Sequence, residues 1–127
     1  MDKKRPVNLD IGTIRLPITS YVSILHRASG AILFFSIAVF LWLLEGSLDS
    51  EQSFNDVKAL FNNPLCQFIV WASLAALAYH AVVGIRHLVM DFGLGEDSFE
   101  SGRTTAWVAL VVAVVVIALV TGWVYLW

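Results

Sequence analysis

The chain has 127 residues, a length that normally corresponds to one soluble domain. Hydrophobic residues make up 58% of it and charged residues only 14%, and the mean hydropathy is +0.76, whereas soluble domains carry about 25% charge. A domain this small could not bury so much apolar surface, which excludes a soluble enzyme, a secreted disulfide scaffold and a free nucleic-acid-binding protein. The net charge of −2 indicates no particular partner, and the single cysteine, Cys66, cannot form an intrachain disulfide.

The first 20 residues are predicted to form a cytoplasmic arm rather than a signal peptide. Basic residues at positions 3–5 are followed by Pro6 and a mixed polar segment, without the apolar core that a signal peptide needs. Pro17, followed by Thr19 and Ser20, is a suitable start for a helix.

Three apolar segments follow, at residues 21–44, 65–89 and 105–126. Each has about the 20 residues that a helix needs to cross the hydrocarbon core of a bilayer. The sequence therefore predicts an all-α membrane protein with three transmembrane helices in a single membrane-anchor domain.

The loop between the first two segments is predicted to contain a short helix on the outer membrane surface. Asp49 or Ser50 can cap its start, and the sequence Asn62-Asn63-Pro64 can end it. Its apolar residues recur at helical spacing, as expected of a helix lying in the interface: Phe54, Val57, Leu60 and Phe61.

The basic residues predict the orientation. Of the eight Lys and Arg residues, all but Lys58 fall on one side of a three-span arrangement, and an excess of basic residues marks the cytoplasmic side. The N-terminus and second loop are therefore expected in the cytoplasm, and the first loop and C-terminus outside. Aromatic residues agree, with Tyr21 and Trp107 at inner helix ends and Trp42, Trp71, Trp123, Tyr125 and Trp127 at outer ends.

Titratable residues inside membrane spans are costly and usually functional. In the first span, Ser23, His26, Arg27 and Gly30 are spaced i, i+3, i+4 and i+7, so they share one helical face. The glycine leaves space beside the polar side chains.

The second span carries a similar group. His80, Gly84 and His87 are spaced i, i+4 and i+7, and Arg86 is next to them. His80 lies about 10 Å deeper in the membrane than His87, at 1.5 Å per residue. Both groups belong to the cytoplasmic half of the bilayer, so we expect one titratable cluster.

Haem binding is one chemistry that would use this cluster. A neutral imidazole ligates haem iron, and such ligands are commonly placed inside helical bundles. His80 and His87 are too far apart on one helix face to bind the same iron, so the second axial ligand would be His26 or a histidine of another chain. Haem propionates need cationic or hydrogen-bonding partners, which His26, Arg27, His87 and Arg86 could supply.

Each residue also has a simpler interpretation. Arg27 and Arg86 could extend to the interface as anchors, and Ser23 could bond only to its own helix or cap its start. Gly30 and Gly84 could serve helix packing alone. The grouping of three histidines and two arginines in the cytoplasmic half of the bilayer favours a binding site.

Three segments resemble a known family. They are Arg5-Pro6-Val7, the segment SILHRASG at residues 23–30 and the segment HAVVGIRHLVMDFG at residues 80–93. Together they are similar to the signatures of the cytochrome b556 membrane-anchor subunits of succinate dehydrogenase, respiratory complex II. The combined SxxHRxSG and HxxxGxRHxxxD patterns are specific, and the resemblance covers essentially the whole chain.

The resemblance implies a role in electron transport and the tricarboxylic acid cycle, within a bacterial inner membrane. A flavoprotein subunit with FAD would oxidise succinate, and an iron–sulfur subunit would pass the electrons to the membrane. This chain, without a succinate site, would join a second three-helix anchor subunit in a larger bundle that binds haem b and ubiquinone. The resemblance makes His80 one axial ligand, with the other from the second anchor subunit. It places Ser23 and Arg27 at the quinone and His26, Arg27 and His87 near the propionates.

Two alternative functions remain open for the chain. Within the family, the chain could be the anchor of a fumarate reductase, whose chemistry runs in reverse; some such anchors lack haem, so His80 favours the dehydrogenase. Outside it, the chain could be a non-redox structural or proton-pathway subunit, in which His80 would be a packing or relay residue.

Overall fold

The computed structural model describes residues 6–95 and 97–126, and this part of the chain is helical and contains no strand. A single 3-10 turn at Ile11–Thr13 precedes the long helices. The predicted roles of residues 3–5 and of Trp127 lie outside the described residues. Four α-helices follow in chain order: α1 (Ile18–Asp49), α2 (Glu51–Leu60), α3 (Pro64–Asp91) and α4 (Phe99–Leu126).

Local sequence explains where α2 and α3 begin. The Ser50 hydroxyl accepts a hydrogen bond from the Ser53 backbone N–H at 3.0 Å and so caps α2, as one of the two predicted caps. The Asn63 side chain accepts hydrogen bonds from the N–H groups of Leu65 and Cys66, and Pro64 occupies the first turn of α3, where its missing N–H costs nothing. The predicted short helix in the first loop is therefore present.

The helices α1, α3 and α4 are long and apolar enough to cross a membrane, and they contain the three predicted spans. All three are longer than predicted. With 32 residues, α1 extends about 48 Å, well beyond the roughly 30 Å of hydrocarbon. The helix α4 begins at Phe99 instead of residue 105, because the polar segment before its apolar run is also helical.

Small side chains form the interior. The buried residues of α1 are spaced seven apart, at Val22, Ser29, Ser36 and Leu43, so one narrow stripe of α1 faces the rest of the bundle. The helix α4 contributes only Gly and Ala to the interior, and small residues let membrane helices approach closely: Gly102, Ala106, Ala109 and Ala113.

Polar contacts join α3 to both neighbours. Ser36 in α1 and Ser73 in α3 are hydrogen-bonded at 2.9 Å inside the interface. The Tyr79 hydroxyl donates to the carbonyl oxygen of Val22 at 2.9 Å, and the Trp71 indole N–H donates to Thr121 Oγ1 in α4 at 2.8 Å. Because α3 packs against both α1 and α4, its polar group at residues 80–87 contacts the polar group of α1 at residues 23–30.

Most large apolar side chains point outwards. Phe34 and Phe35 on α1 are 72% and 73% exposed, and Val114 on α4 is 63% exposed. Exposed apolar surface on this scale fits a lipid or protein environment rather than water. The chain is a multi-pass membrane protein.

Candidate functional site

All three histidines meet between α1 and α3. The rings of His26 and His80 stack with their centroids 4.0 Å apart and an interplanar angle of 11°. The ring of His87 lies edge-on to that of His26, with the two ring centroids 5.0 Å apart. We call His80, His26 and His87 the histidine column. The two sequence groups thus form one titratable cluster.

The hydrogen bonds of His80 fix its protonation. Its Nδ1 atom lies 3.1 Å from the carbonyl oxygen of His26 and 3.1 Å from Ser29 Oγ. Ser29 Oγ itself donates to the His26 carbonyl at 2.7 Å. Both neighbours of Nδ1 therefore act as acceptors, so Nδ1 carries the proton and Nε2 keeps a free lone pair. This is the tautomer that binds a metal through Nε2.

Two glycines make room for the rings. A Cβ atom on Gly30 would lie 3.1 Å from His80 Cε1, and a Cβ atom on Gly84 would lie 3.3 Å from His26 Nε2. Each imidazole of one helix thus rests against a glycine of the other. The glycines serve the packing of the chain's own imidazoles, which agrees with the helix-packing interpretation of these positions.

His26 is held differently from His80. In the part of the chain that the structure describes, its Nε2 is the only buried side-chain nitrogen or oxygen without a hydrogen-bond partner. Its ring is stacked face to face on that of His80, so the two imidazoles lie side by side in nearly parallel planes.

A cavity of about 640 Å³ opens between the start of α1, the end of α3 and the start of α4, lined by direct chain neighbours of His26 and His87. Ser23, Arg27 and Arg86 line it, together with Met90 and Phe99. Its volume lies within the range of roughly 300–1,000 Å³ typical of small-molecule sites. The structure thus brings together the two residues predicted at the quinone and adds Arg86.

The Ser23 hydroxyl is free for a ligand. The helix α1 begins at Ile18 with Pro17 at its N-cap position, so Ser23 does not cap it. Ser29, Ser36 and Ser47 of the same helix donate to its backbone, whereas Ser23 makes no hydrogen bond within residues 6–95 and 97–126. Neither of the simpler roles considered for Ser23 is observed.

Arg86 has a role that the sequence did not reveal. It is buried, and its guanidinium donates to the carbonyl oxygen of Gly102 at 3.0 Å and to Thr105 Oγ1 at 3.2 Å, both in α4. Arg27, by contrast, is exposed. The alternative in which Arg86 only extends to the interface as an anchor does not hold, since its charge is held inside the bundle. No sequence signal marked Gly102 and Thr105 as partners of Arg86, because they belong to a polar segment at the start of α4, most of which hydropathy assigns to a loop.

Similarity to known proteins agrees with this geometry. Residues 1–120 match the family described as succinate dehydrogenase/fumarate reductase transmembrane subunit. The chain belongs to this family. The succinate dehydrogenase cytochrome b556 subunit of Coxiella burnetii (strain RSA 493 / Nine Mile phase I) is 37% identical over 126 residues, which cover 98% of this chain and 100% of that protein.

Two further relatives share the same name. The cytochrome b556 subunit of succinate dehydrogenase from Paracoccus denitrificans is 30% identical, with 92% of this chain and 88% of the relative covered. That from Rickettsia felis (strain ATCC VR-1525 / URRWXCal2) is 31% identical, with 87% and 86% covered. The chain is thus a transmembrane anchor subunit of the succinate dehydrogenase/fumarate reductase type, and the predicted family and all-α membrane fold are confirmed.

Proposed function

We propose that this chain is the anchor subunit of a succinate:ubiquinone oxidoreductase that holds haem b through His80 and forms part of the quinone-reduction site through Ser23 and Arg27. The observation that carries the proposal is the state of His80. Its Nδ1–H is held by two acceptors while Nε2 remains available. In a chain whose relatives are named cytochrome b556 subunits, such an imidazole suits a haem ligand.

The donor set fits a b-type haem, which would supply one-electron redox chemistry when bound. His80 would supply one neutral nitrogen ligand and a histidine of the second anchor subunit the other, which is supported by the stacking of His26 on His80. The CxxCH sequence that attaches haem covalently does not occur in the chain, so binding would depend on ligation and packing.

The propionates would lie towards the cytoplasmic end of the histidine column, at His26, Arg27 and His87. A buried nitrogen without a partner costs about 1–3 kcal/mol, so a bound carboxylate that reached His26 Nε2 would relieve that cost. Arg27 is exposed and unpaired by any carboxylate of the described residues, which leaves its charge available. Arg86, also predicted near the propionates, is engaged with α4 and contributes positive charge to the cavity instead.

The cavity lined by Ser23, Arg27 and Arg86 suits a quinone headgroup. The Ser23 hydroxyl can donate to a quinone carbonyl oxygen. The guanidinium groups of Arg27 and Arg86 line the same space and would stabilise negative charge that develops as the quinone is reduced. The non-redox alternatives give no account of a serine that leaves its hydroxyl unused beside two arginines.

The remaining assignments follow from the position of the cavity. It lies at the end of the bundle that is rich in basic residues, which would face the cytoplasm, where an iron–sulfur subunit could deliver electrons from an FAD-containing flavoprotein subunit. The N-terminus would then be cytoplasmic and the C-terminus periplasmic in a bacterial inner membrane. A fumarate reductase anchor is the alternative within the family, and the free Nε2 of His80 favours the haem-containing dehydrogenase.

Replacement of His80 tests the proposal. In the purified complex, His80→Ala should abolish or shift the reduced b-type absorption band, because an axial ligand is lost. Ser36→Ala, a change in the same α1–α3 interface whose cross-helix partner is Ser73, should retain the band. A His80→Ala complex whose haem content, spectrum and midpoint potential equal those of the wild type would refute the assignment.

A further inference from the structure

We propose that Ser29 is a positioning residue for His80: its hydroxyl, together with the His26 carbonyl, keeps the proton of His80 on Nδ1 and the lone pair on Nε2. This inference rests on the proposed function, because the purpose of the arrangement is to present Nε2 to an iron. It adds a residue to which no role was assigned by the sequence patterns.

The direction of the hydrogen bonds carries the argument. Ser29 is 5% exposed, so water does not compete for its hydroxyl. A serine hydroxyl has one proton, and that proton points to the His26 carbonyl at 2.7 Å. Towards His80 Nδ1, at 3.1 Å, Ser29 Oγ can therefore only accept. The His26 carbonyl, at 3.1 Å, can also only accept, so neither neighbour would satisfy a deprotonated Nδ1.

The arrangement also fixes the ring. His80 contacts three residues of α1. Ser29 Oγ and the His26 carbonyl oxygen face its Nδ1 atom, and Gly30 leaves space for the edge of the imidazole. An imidazole that donates from Nδ1 to an acceptor is a more basic ligand, and partners of this kind typically change metal affinity by about 10–100-fold. A more basic ligand stabilises the oxidised iron, so it lowers the reduction potential.

The chain offers a matched control one heptad away. Ser36 is also 5% exposed, also lies on the buried stripe of α1, and also donates to its own helix, at Ile32. Its contact across the interface is Ser73 Oγ rather than an imidazole. Ser29→Ala and Ser36→Ala thus remove the same group from equivalent surroundings, and only the first change touches His80.

The experiment compares assembled complexes carrying Ser29→Ala, Ser36→Ala or no substitution. Redox titration of the haem band gives the midpoint potential, and transfer of haem to excess apomyoglobin gives its rate of loss. We expect Ser29→Ala to raise the potential and to speed haem loss by about 10-fold, at the lower end of the range because one acceptor remains. Ser36→Ala should match the wild type in both measurements.

A second variant covers the case in which Ser29→Ala does not assemble. Ser29→Cys keeps the size but supplies a weak acceptor, so its potential should lie above that of the wild type. Potentials and rates of haem loss that stay at wild-type values in the Ser29 variants would overturn the inference. If His80→Ala removes the haem band in the same series, the proposed function stands without it; if His80→Ala changes nothing, the proposed function fails first.

Discussion

At the scale of single residues, the serines of α1 differ in whether their hydroxyl bonds to the helix itself or is left for a ligand. The helix contains five serines at different depths, and three of them, Ser29, Ser36 and Ser47, donate their proton to the helix backbone. Ser20 and Ser23 make no such bond within the described residues, and both line the cavity with Arg27; Ser23 lies one helical turn from Arg27. This makes Ser23 the simplest place to test quinone binding.

We expect Ser23→Ala to lower succinate–quinone turnover by about 10-fold, the upper end of the effect of one neutral hydrogen bond. Arg27→Leu should lower it further, because a charge near a developing anion has a larger effect in a low-dielectric site. Succinate oxidation measured with an artificial acceptor that takes electrons before the quinone should remain at the wild-type rate in both.

Ser47→Ala is the control for Ser23→Ala, since Ser47 lies at the other end of α1 and bonds only to the Leu44 carbonyl. Its quinone kinetics should be unchanged. Normal turnover and quinone KM in the Ser23→Ala complex would exclude Ser23 from the site.

The sequence predicted which residues belong to the cluster but not how they contact one another. Spacing of i, i+3, i+4 and i+7 puts residues on one face of a helix. It does not say how far one helix is shifted along its neighbour, so the stacking of His26 on His80 could not be derived. The contacts of Ser29 and Arg86 could not be derived either, because both reach another helix. Ser29 contacts His80 in α3, and Arg86 donates to the Gly102 carbonyl in α4.

At the scale of helices, the existence and order of the spans could be predicted because uninterrupted apolar runs of this length have few alternatives. Their ends could not. The helix α4 begins within a polar segment that hydropathy alone assigns to a loop, and the Arg86 contacts to Gly102 and Thr105 lie in that first part of α4. Polar contacts with a neighbouring helix therefore extend α4 beyond its apolar run.

Close packing of α4 depends on its alanines. Ala106 is fully buried against Val22 and Val83. We expect Ala106→Leu to destabilise the bundle by about 1–3 kcal/mol, because extra methylene groups in a packed interior force neighbours apart. The midpoint of thermal unfolding of the purified complex measures this.

The same substitution at Ala118, which is exposed on α4, is the control and should cost little. Equal unfolding midpoints for Ala106→Leu and Ala118→Leu would show that the α1–α3–α4 interior is not packed as described.

At the scale of the whole molecule, the proposed haem site needs a second chain. Under the proposal His80 would supply one ligand, and the stacked ring of His26 would leave the other to the second anchor subunit. Large apolar side chains of α1, such as Phe34 and Phe35, are mostly exposed in the described bundle. A second anchor subunit would cover apolar surface of this kind and complete the coordination.

We therefore expect the chain expressed without other subunits to give little six-coordinate haem, although it inserts into the membrane. Co-expression with the second anchor subunit should restore the low-spin b-type spectrum, because a six-coordinate iron needs two strong axial ligands. Absorption and electron paramagnetic resonance spectra of membranes from the two strains provide the comparison. A fully loaded, six-coordinate haem in the chain alone would contradict this prediction.

The crossed arrangement of imidazoles and glycines ties together positions far apart in the sequence. His26 rests against Gly84, and His80 rests against Gly30. A side chain added at either glycine would have to displace the imidazole opposite it or slide one helix along the other, and sliding would also disturb the second pair. Among homologous chains, Gly30 should therefore change only together with position 80, and Gly84 only together with position 26, so the two pairs should be inherited as coupled units.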